Sequence, residues 1–176
     1  MSWLDRFNRA TAEAAVDELL ACCAALAWAR QVAAQRPFRD ADALLESAEA
    51  IWWRLPPSEW LIAFAAHPRI GETAVRPQHG AGDRWSAAEQ RSVAAASATT
   101  RSELAQVNRD YESKFGYTYI VCATGRSAEE MLRFARERLG HEPSAELRVA
   151  AGEQAKITRL RLLRLLASAE GAERSA

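Results

Sequence analysis

Lysine is almost missing from this chain: Lys114 and Lys156 are the only two, and every other cation is an arginine. Alongside the abundant alanine, this fits genome composition better than an arginine-specific task. No excess of charge exists in either sign, because 23 Lys and Arg side chains face 23 Asp and Glu. Nucleic acid and anionic membranes both call for a basic surplus, so neither is expected as the main partner. Cysteine is scarce and odd in number. Cys22 and Cys23 are adjacent, Cys122 is far away, and no C-x-x-C occurs. That excludes a disulfide framework and points to a reducing, cytoplasmic setting. Long apolar runs are lacking as well. The longest uncharged one, Leu19 to Ala29, is too short to span a bilayer. The opening Met-Ser-Trp-Leu-Asp-Arg does not read as a signal peptide, and the final Glu-Arg-Ser-Ala is not a peroxisomal address. Glycine (8) and proline (6) are few and β-branched runs are nearly absent, which removes most turn-rich β architectures.

What is present reads as helix. With 176 residues and 49% hydrophobic content the chain suits one compact domain with a real core. The pattern predicts an all-α, single-domain bundle of about seven to nine helices over residues 1–176. A short opening helix holds Trp3, Leu4 and Phe7. Thr11 caps a helix that runs to about Ala34, and Arg36-Pro37-Phe38 ends it. Asp40 caps a helix with Leu44, Leu45, Ala48, Ile51 and Trp52 at three- and four-residue steps. Leu55-Pro56-Pro57 interrupts, and Ser58 starts a short helix to about Ala66. Residues 67–84 form the longest irregular stretch, a length that usually marks function or mobility. Ser86 opens a long helical region to about Lys114, with a kink expected near Thr99-Thr100. The segment near 115–123 is aromatic and β-branched, and reads as extended and buried. Ser127-x-x-Glu130 has capping-box spacing for a helix to Leu139, and Pro143-Ser144 opens the last helix. The tail after Ala169 is expected to fray. Trp3, Trp28 and Trp60 fit either an interface or burial within one subunit.

Among side chains able to do chemistry, His67 stands out. Pro68 after it pushes His67 out of the α region, so the imidazole sits at a helix end facing the long loop. Such a ring can donate or accept a proton near neutral pH; an ordinary surface or satisfied core histidine is the plain alternative. Glu89 has a strong structural reading of its own, since Ser86-x-x-Glu89 is a capping box. A helix N-terminus also suits an anionic ligand, so the two readings are compatible. Gln90 adds an amide that both donates and accepts. Arg161 is by default a solvated arginine, and by function a fork for a carboxylate or urea carbonyl. Metal binding is poorly supported, because His67, His79 and His141 lack zinc spacing. There is no phosphate loop and no G-x-S-x-G elbow. Cys122 sits in an apolar segment and reads as an inert thiol.

Assembled in order, several blocks resemble one known family. They are Arg36-Pro37-Phe38; Ala66-His67-Pro68-Arg69-Ile70-Gly71-Glu72; Trp85-Ser86-Ala87-Ala88-Glu89-Gln90; Asn108 through Gly116; Tyr119-Ile120-Val121-Cys122-Ala123; Arg138-Leu139; and Glu153 through Lys156-Ile157 to Arg161-Leu162. Together they are similar to the 2-oxo-4-hydroxy-4-carboxy-5-ureidoimidazoline (OHCU) decarboxylases of the ureide pathway of purine breakdown. The likeness covers about residues 8–166, and order and spacing make it specific where each block alone is short. The resemblance implies an all-helical homodimer without cofactor, converting OHCU to (S)-allantoin and CO2. It places the catalytic groups on His67 and Glu89. It places substrate contacts on Pro68, Ser86, Ala87, Ala88, Gln90, Tyr119, Ile120, Val121, Cys122, Ala123 and Arg161. Two departures stand out: His-Pro-Arg-Ile where many members have His-Pro-Asp-Leu, and a bulky Trp85 where small or apolar residues are usual. The rival readings are a non-enzymatic helical interaction module, and a family member acting on a related ureide or partnering a urate-pathway enzyme.

Overall fold

Side-chain caps start several of the helices. A computed structural model describes residues 1–70, 85 and 91–168. Its helices are α1 (Trp3–Arg9), α2 (Ala12–Leu20), α3 (Leu26–Ala34), α4 (Ala41–Arg54), α5 (Pro57–Ala65), α6 (Arg91–Ala94), α7 (Ala98–Phe115), α8 (Ala128–Arg138) and α9 (Pro143–Ser168). Among the described residues there is no strand, and the all-α expectation holds. Ser2, Thr11, Asp40, Ser97 and Ser127 each accept a hydrogen bond from a backbone amide of the first turn, which satisfies donors a helix start leaves over. Ser127 and Glu130 form the reciprocal box expected from their spacing. Pro57 opens α5, where its missing N–H costs nothing, so Ser58, the cap expected for this helix, lies instead within its first turn.

Two further expectations need correction. The helix expected from Thr11 to about Ala34 is two helices, because the chain turns at Ala21–Ala25. No glycine or proline announces that turn. It is held by burial of Cys22, Cys23 and Ala25, by the Cys22 and Cys23 amides donating to the Leu19 carbonyl at 2.9 and 3.1 Å, and by Arg161 reaching the Ala21 carbonyl at 3.5 Å. The kink expected near Thr99-Thr100 is instead a full break between α6 and α7, three residues earlier in effect, because Ser97 caps a new helix through the Thr100 amide at 3.0 Å. The opening of the preceding helical region at Ser86, most of the 67–84 stretch and the tail from 169 lie outside the described residues.

The chain divides into two compact units, Met1–Ile62 with the segment from Ala155 onward, and Ala63–Gln154. In the first unit α2 packs on α3 and α3 on α4. Trp3, Phe7, Leu19, Trp28, Val32, Leu44 and Ile51 are fully enclosed, each burial contributing about 1.5–3 kcal/mol. The buried indoles keep their N–H bonded: Trp28 donates to the Ala48 carbonyl at 2.9 Å and Trp60 to the Trp52 carbonyl at 3.0 Å. Trp3, Trp28 and Trp60 are therefore core residues of this chain, while Trp53 is exposed. The Arg36-Pro37-Phe38 block is structural. Arg36 donates to the carbonyls of Phe7 (2.7 Å), Ala10 (2.8 Å) and Ala33 (2.9 Å), collecting acceptors left at the ends of α1 and α3.

In the second unit α7 packs on α8. Leu104, Val107, Tyr111, Met131, Leu132 and Ala135 build its core with Tyr119, Val121 and Ala123 from the connecting segment. Gly116 ends α7 in the left-handed region at φ 80°, where a side chain would be strained. Below this core lies a polar knot. Glu146 is fully buried and accepts from Arg138 Nε at 2.8 Å, from Arg138 Nη2 at 2.5 Å, from the Tyr111 hydroxyl, and from His141 Nδ1 at 2.7 Å. Burial opposes the charge on Arg138, but the Glu146 carboxylate outweighs it and holds the guanidinium protonated.

Candidate active site

α5 ends because Pro68 cannot continue it, and the chain leaves the helix through His67. The His67 amide still bonds the Phe64 carbonyl at 3.0 Å, so the backbone is held just where it departs. The ring is half-buried, as is Pro68. Its Nε2 lies 2.7 Å from Oε1 of Gln154, a fully buried side chain of α9. The next residues are anchored independently. Arg69 grips the Glu112 carboxylate of α7 with Nε and Nη2, both at 2.7 Å. The Ile70 side chain is buried and its carbonyl accepts from Asn108 at 2.6 Å. The departure at Arg69-Ile70 thus has a local explanation: the arginine pairs with an acid on α7, and the isoleucine joins the core of this unit.

The second wall of this unit is the segment Tyr119–Ala123, five consecutive buried residues outside any helix. Non-helical backbone in such a place needs partners. Arg138 Nη1 donates to the Ile120 carbonyl at 2.8 Å, and the Cys122 amide donates to Glu153 Oε2 at 2.8 Å. Arg126 closes on the same oxygen at 3.0 Å. The Tyr119 hydroxyl donates to the Met131 carbonyl at 3.1 Å, and burial pushes its pKa up to about 12, so it is a neutral donor rather than a base. The burial expected for this stretch is present at Tyr119–Ala123, without ladder pairing, whereas Phe115 still belongs to α7.

Glu153 and Gln154 are adjacent on α9: the first holds the Cys122 amide and the second the His67 ring. Sequence reasoning assigned neither a role. No sequence signal marks them; the structure does, because both are buried along α9 together with Ala150, Ala151, Ile157, Thr158, Arg161 and Leu162. Polar residues at positions of a helix that otherwise take core residues are unusual unless they are bonded.

Arg161 lies further along α9, within the first unit. It is 5% exposed, which removes its reading as a solvated arginine. Beside it, burial raises the Cys22 thiol to about 12 and the Cys23 thiol to about 11. Both thiols stay protonated and unreactive near neutral pH. His141 is engaged by Glu146. Among the described residues no group of three His, Cys, Asp or Glu could hold a metal ion, and no helix is long and apolar enough to cross a membrane. Ser86, Ala87, Ala88, Glu89 and Gln90, with His79, lie outside the described residues, whereas Trp85 is half-buried.

The chain is similar to several known proteins. The OHCU decarboxylase family model matches residues 8–163. The uric acid degradation bifunctional protein TTL of Arabidopsis thaliana is 39% identical over 151 residues, 85% of this chain and 46% of that protein. The chain therefore spans under half the length of that relative. The 2-oxo-4-hydroxy-4-carboxy-5-ureidoimidazoline decarboxylase of Mus musculus is 32% identical over 140 residues, 78% of each chain. A crystal structure of OHCU decarboxylase in the presence of (S)-allantoin superposes with a TM-score of 0.75 at 36% identity, covering 86% of this chain and 99% of the other.

Proposed function

This chain belongs to the OHCU decarboxylase family, and on that premise we propose that it converts OHCU to (S)-allantoin and CO2 in urate degradation, without a cofactor. The observation that carries the reading is His67. It is a half-buried imidazole at a helix end, bonded from behind by a buried glutamine.

The substrate can supply its own electron sink. Its carboxylate sits on a hydroxyl-bearing ring carbon next to a C=N carbon that carries the ureido group. When the carbon–carboxylate bond breaks, CO2 leaves and the electron pair forms a carbon–carbon double bond while the imine nitrogen gains a proton. The resulting enol loses its hydroxyl proton, and the ureido-bearing carbon gains one on a single face. Pyridoxal or thiamine supply such a sink in other decarboxylases. The protein must orient the carboxylate out of the ring plane, stabilise the spreading charge and deliver that proton.

In this reading His67 works on the hydroxyl and carboxylate side and transfers the proton. Glu89 hydrogen-bonds the ring or ureido nitrogens and holds the tautomer that accepts charge. Arg161, Ser86 and Gln90 fix the ureido and ring oxygens, with Pro68, Ala87, Ala88 and the Tyr119–Ala123 segment as further substrate contacts. Within that segment the Cys122 amide and the Ile120 carbonyl are already engaged by Glu153 and Arg138, so contact falls on its other groups. We propose further that residues 1–176 act as one catalytic domain and that the protein is a cytoplasmic homodimer. The free buried cysteines support the cytoplasmic setting, and exposed Trp53, Leu61 and Ile62 support self-association.

Spontaneous decay of OHCU yields racemic allantoin, so product chirality is the readout. Freshly generated OHCU mixed with the purified chain should develop a circular dichroism signal of (S)-allantoin. A signal that grows no faster than in buffer would refute the activity.

A further inference from the structure

Gln154 is a polar side chain with no exposed surface. Its Oε1 is 2.7 Å from the Nε2 of His67. We propose that Gln154 is a positioning residue that sets the tautomer of His67, holding the proton on Nε2 and leaving Nδ1 as the basic nitrogen that faces the reaction. The inference rests on the reading of His67 as the proton-transfer group and specifies which atom does the work.

An amide oxygen carries no proton and can only accept. A neutral imidazole has one N–H and one lone pair. With the oxygen opposite Nε2, the Nδ1–H tautomer would set two lone pairs against each other at hydrogen-bond distance, next to a side chain with no access to water. Such an unsatisfied buried contact is disfavoured far more than an exposed one. The Nε2–H tautomer satisfies both groups. It also directs the Nδ1 lone pair away from α9, since the two ring nitrogens point apart.

Both partners are held by separate anchors. On α9 the neighbouring Glu153 binds the Cys122 amide at 2.8 Å and Arg126 at 3.0 Å, which locates this turn of the helix. On the histidine side, the His67 amide is bonded to Phe64, Arg69 is clamped by Glu112, and the Ile70 carbonyl is held by Asn108. The 2.7 Å pairing thus joins two segments that are each fixed by other bonds. A partner that orients an imidazole through its second nitrogen is a general device for setting which nitrogen is basic.

The test is a long-range proton–nitrogen correlation spectrum of the 15N-labelled full chain at pH 8, with the His67 signals assigned by difference against His67→Gln. The expected pattern is a pyrrole-like Nε2 and a pyridine-like Nδ1. The reverse pattern, or averaged shifts for both nitrogens, overturns the proposal. Gln154→Met removes the acceptor at similar volume. It should average the two shifts and lower kcat by about tenfold or more while KM changes by less than about twofold, as loss of a positioning bond predicts. An unchanged spectrum with unchanged kcat overturns the proposal. If Gln154→Met does not fold, the wild-type spectrum decides alone. Full activity in His67→Gln alongside the expected wild-type spectrum would refute the catalytic reading and leave the tautomer assignment standing, so the two failures are separable.

Discussion

His67 owes its place to its immediate neighbour and its ring geometry to a residue 87 positions away. Pro68 ends the helix, which any reader of the sequence can derive; Gln154 is visible only once the chain is folded. A positioned acid or base contributes about 10²–10⁴-fold in rate. His67→Gln should therefore reduce turnover of OHCU by at least about a hundredfold, with its helical circular dichroism and Tm unchanged. Glu89→Gln keeps part of the capping geometry that the sequence implies and removes the charge. Activity lost with Tm intact assigns Glu89 to catalysis; a fall in Tm with activity retained assigns it to the cap. Arg161 shows how far residue-level defaults reach. As one arginine among many it reads as solvated, and beside the family resemblance it is burial that singles it out.

Elements place these residues by anchoring one another. α9 does so through Glu153, whose carboxylate holds the backbone of Tyr119–Ala123 by a charge-assisted bond. Glu153→Gln weakens that bond and leaves Arg126 without its counter-charge. The expected outcome is a higher KM for OHCU with a stability loss of about 1–3 kcal/mol, checked by steady-state kinetics and urea unfolding. The loop after α5 is tied to α7 by Arg69 and Glu112. Hydrogen bonds from Arg69 hold the Glu112 carboxyl below its usual range. A carboxyl depressed on folding adds stability that is complete above its unfolded pKa and disappears as pH falls through the folded value. The pair is partly exposed, with Arg69 at 45% and Glu112 at 22%, so its worth is small. Glu112→Gln should cost about 0.2–1 kcal/mol at pH 7 by urea unfolding, and the deficit should close as pH is lowered through the acid range. The break at Ala21–Ala25 teaches the same lesson in reverse. A helix ended there without glycine or proline because Arg161 and buried thiols, distant in sequence or apolar in character, hold the turn.

At the scale of the whole molecule, the Ala63–Gln154 unit depends on the knot around Glu146. Removing one member of a buried ion pair leaves an uncompensated charge and costs about 3–5 kcal/mol, whereas replacing both with apolar groups is far milder. Glu146→Met should lower Tm steeply, and the double replacement with Arg138→Met should recover much of the loss in a thermal melt. Composition, the scarcity of breakers and the apolar period were enough to determine an all-helical chain, its caps at Thr11, Asp40 and Ser127, the stop at His67-Pro68 and the buried segment after Gly116. Those features follow from local rules, in which a residue's consequence is set by neighbours within one turn. Only the tertiary structure decided that α9 carries bonded polar groups on its buried side, that Gln154 backs His67, and that Glu153 and Arg138 hold the Tyr119–Ala123 backbone. Each of these joins residues far apart in sequence, and a buried polar side chain declares its role only when its partner arrives.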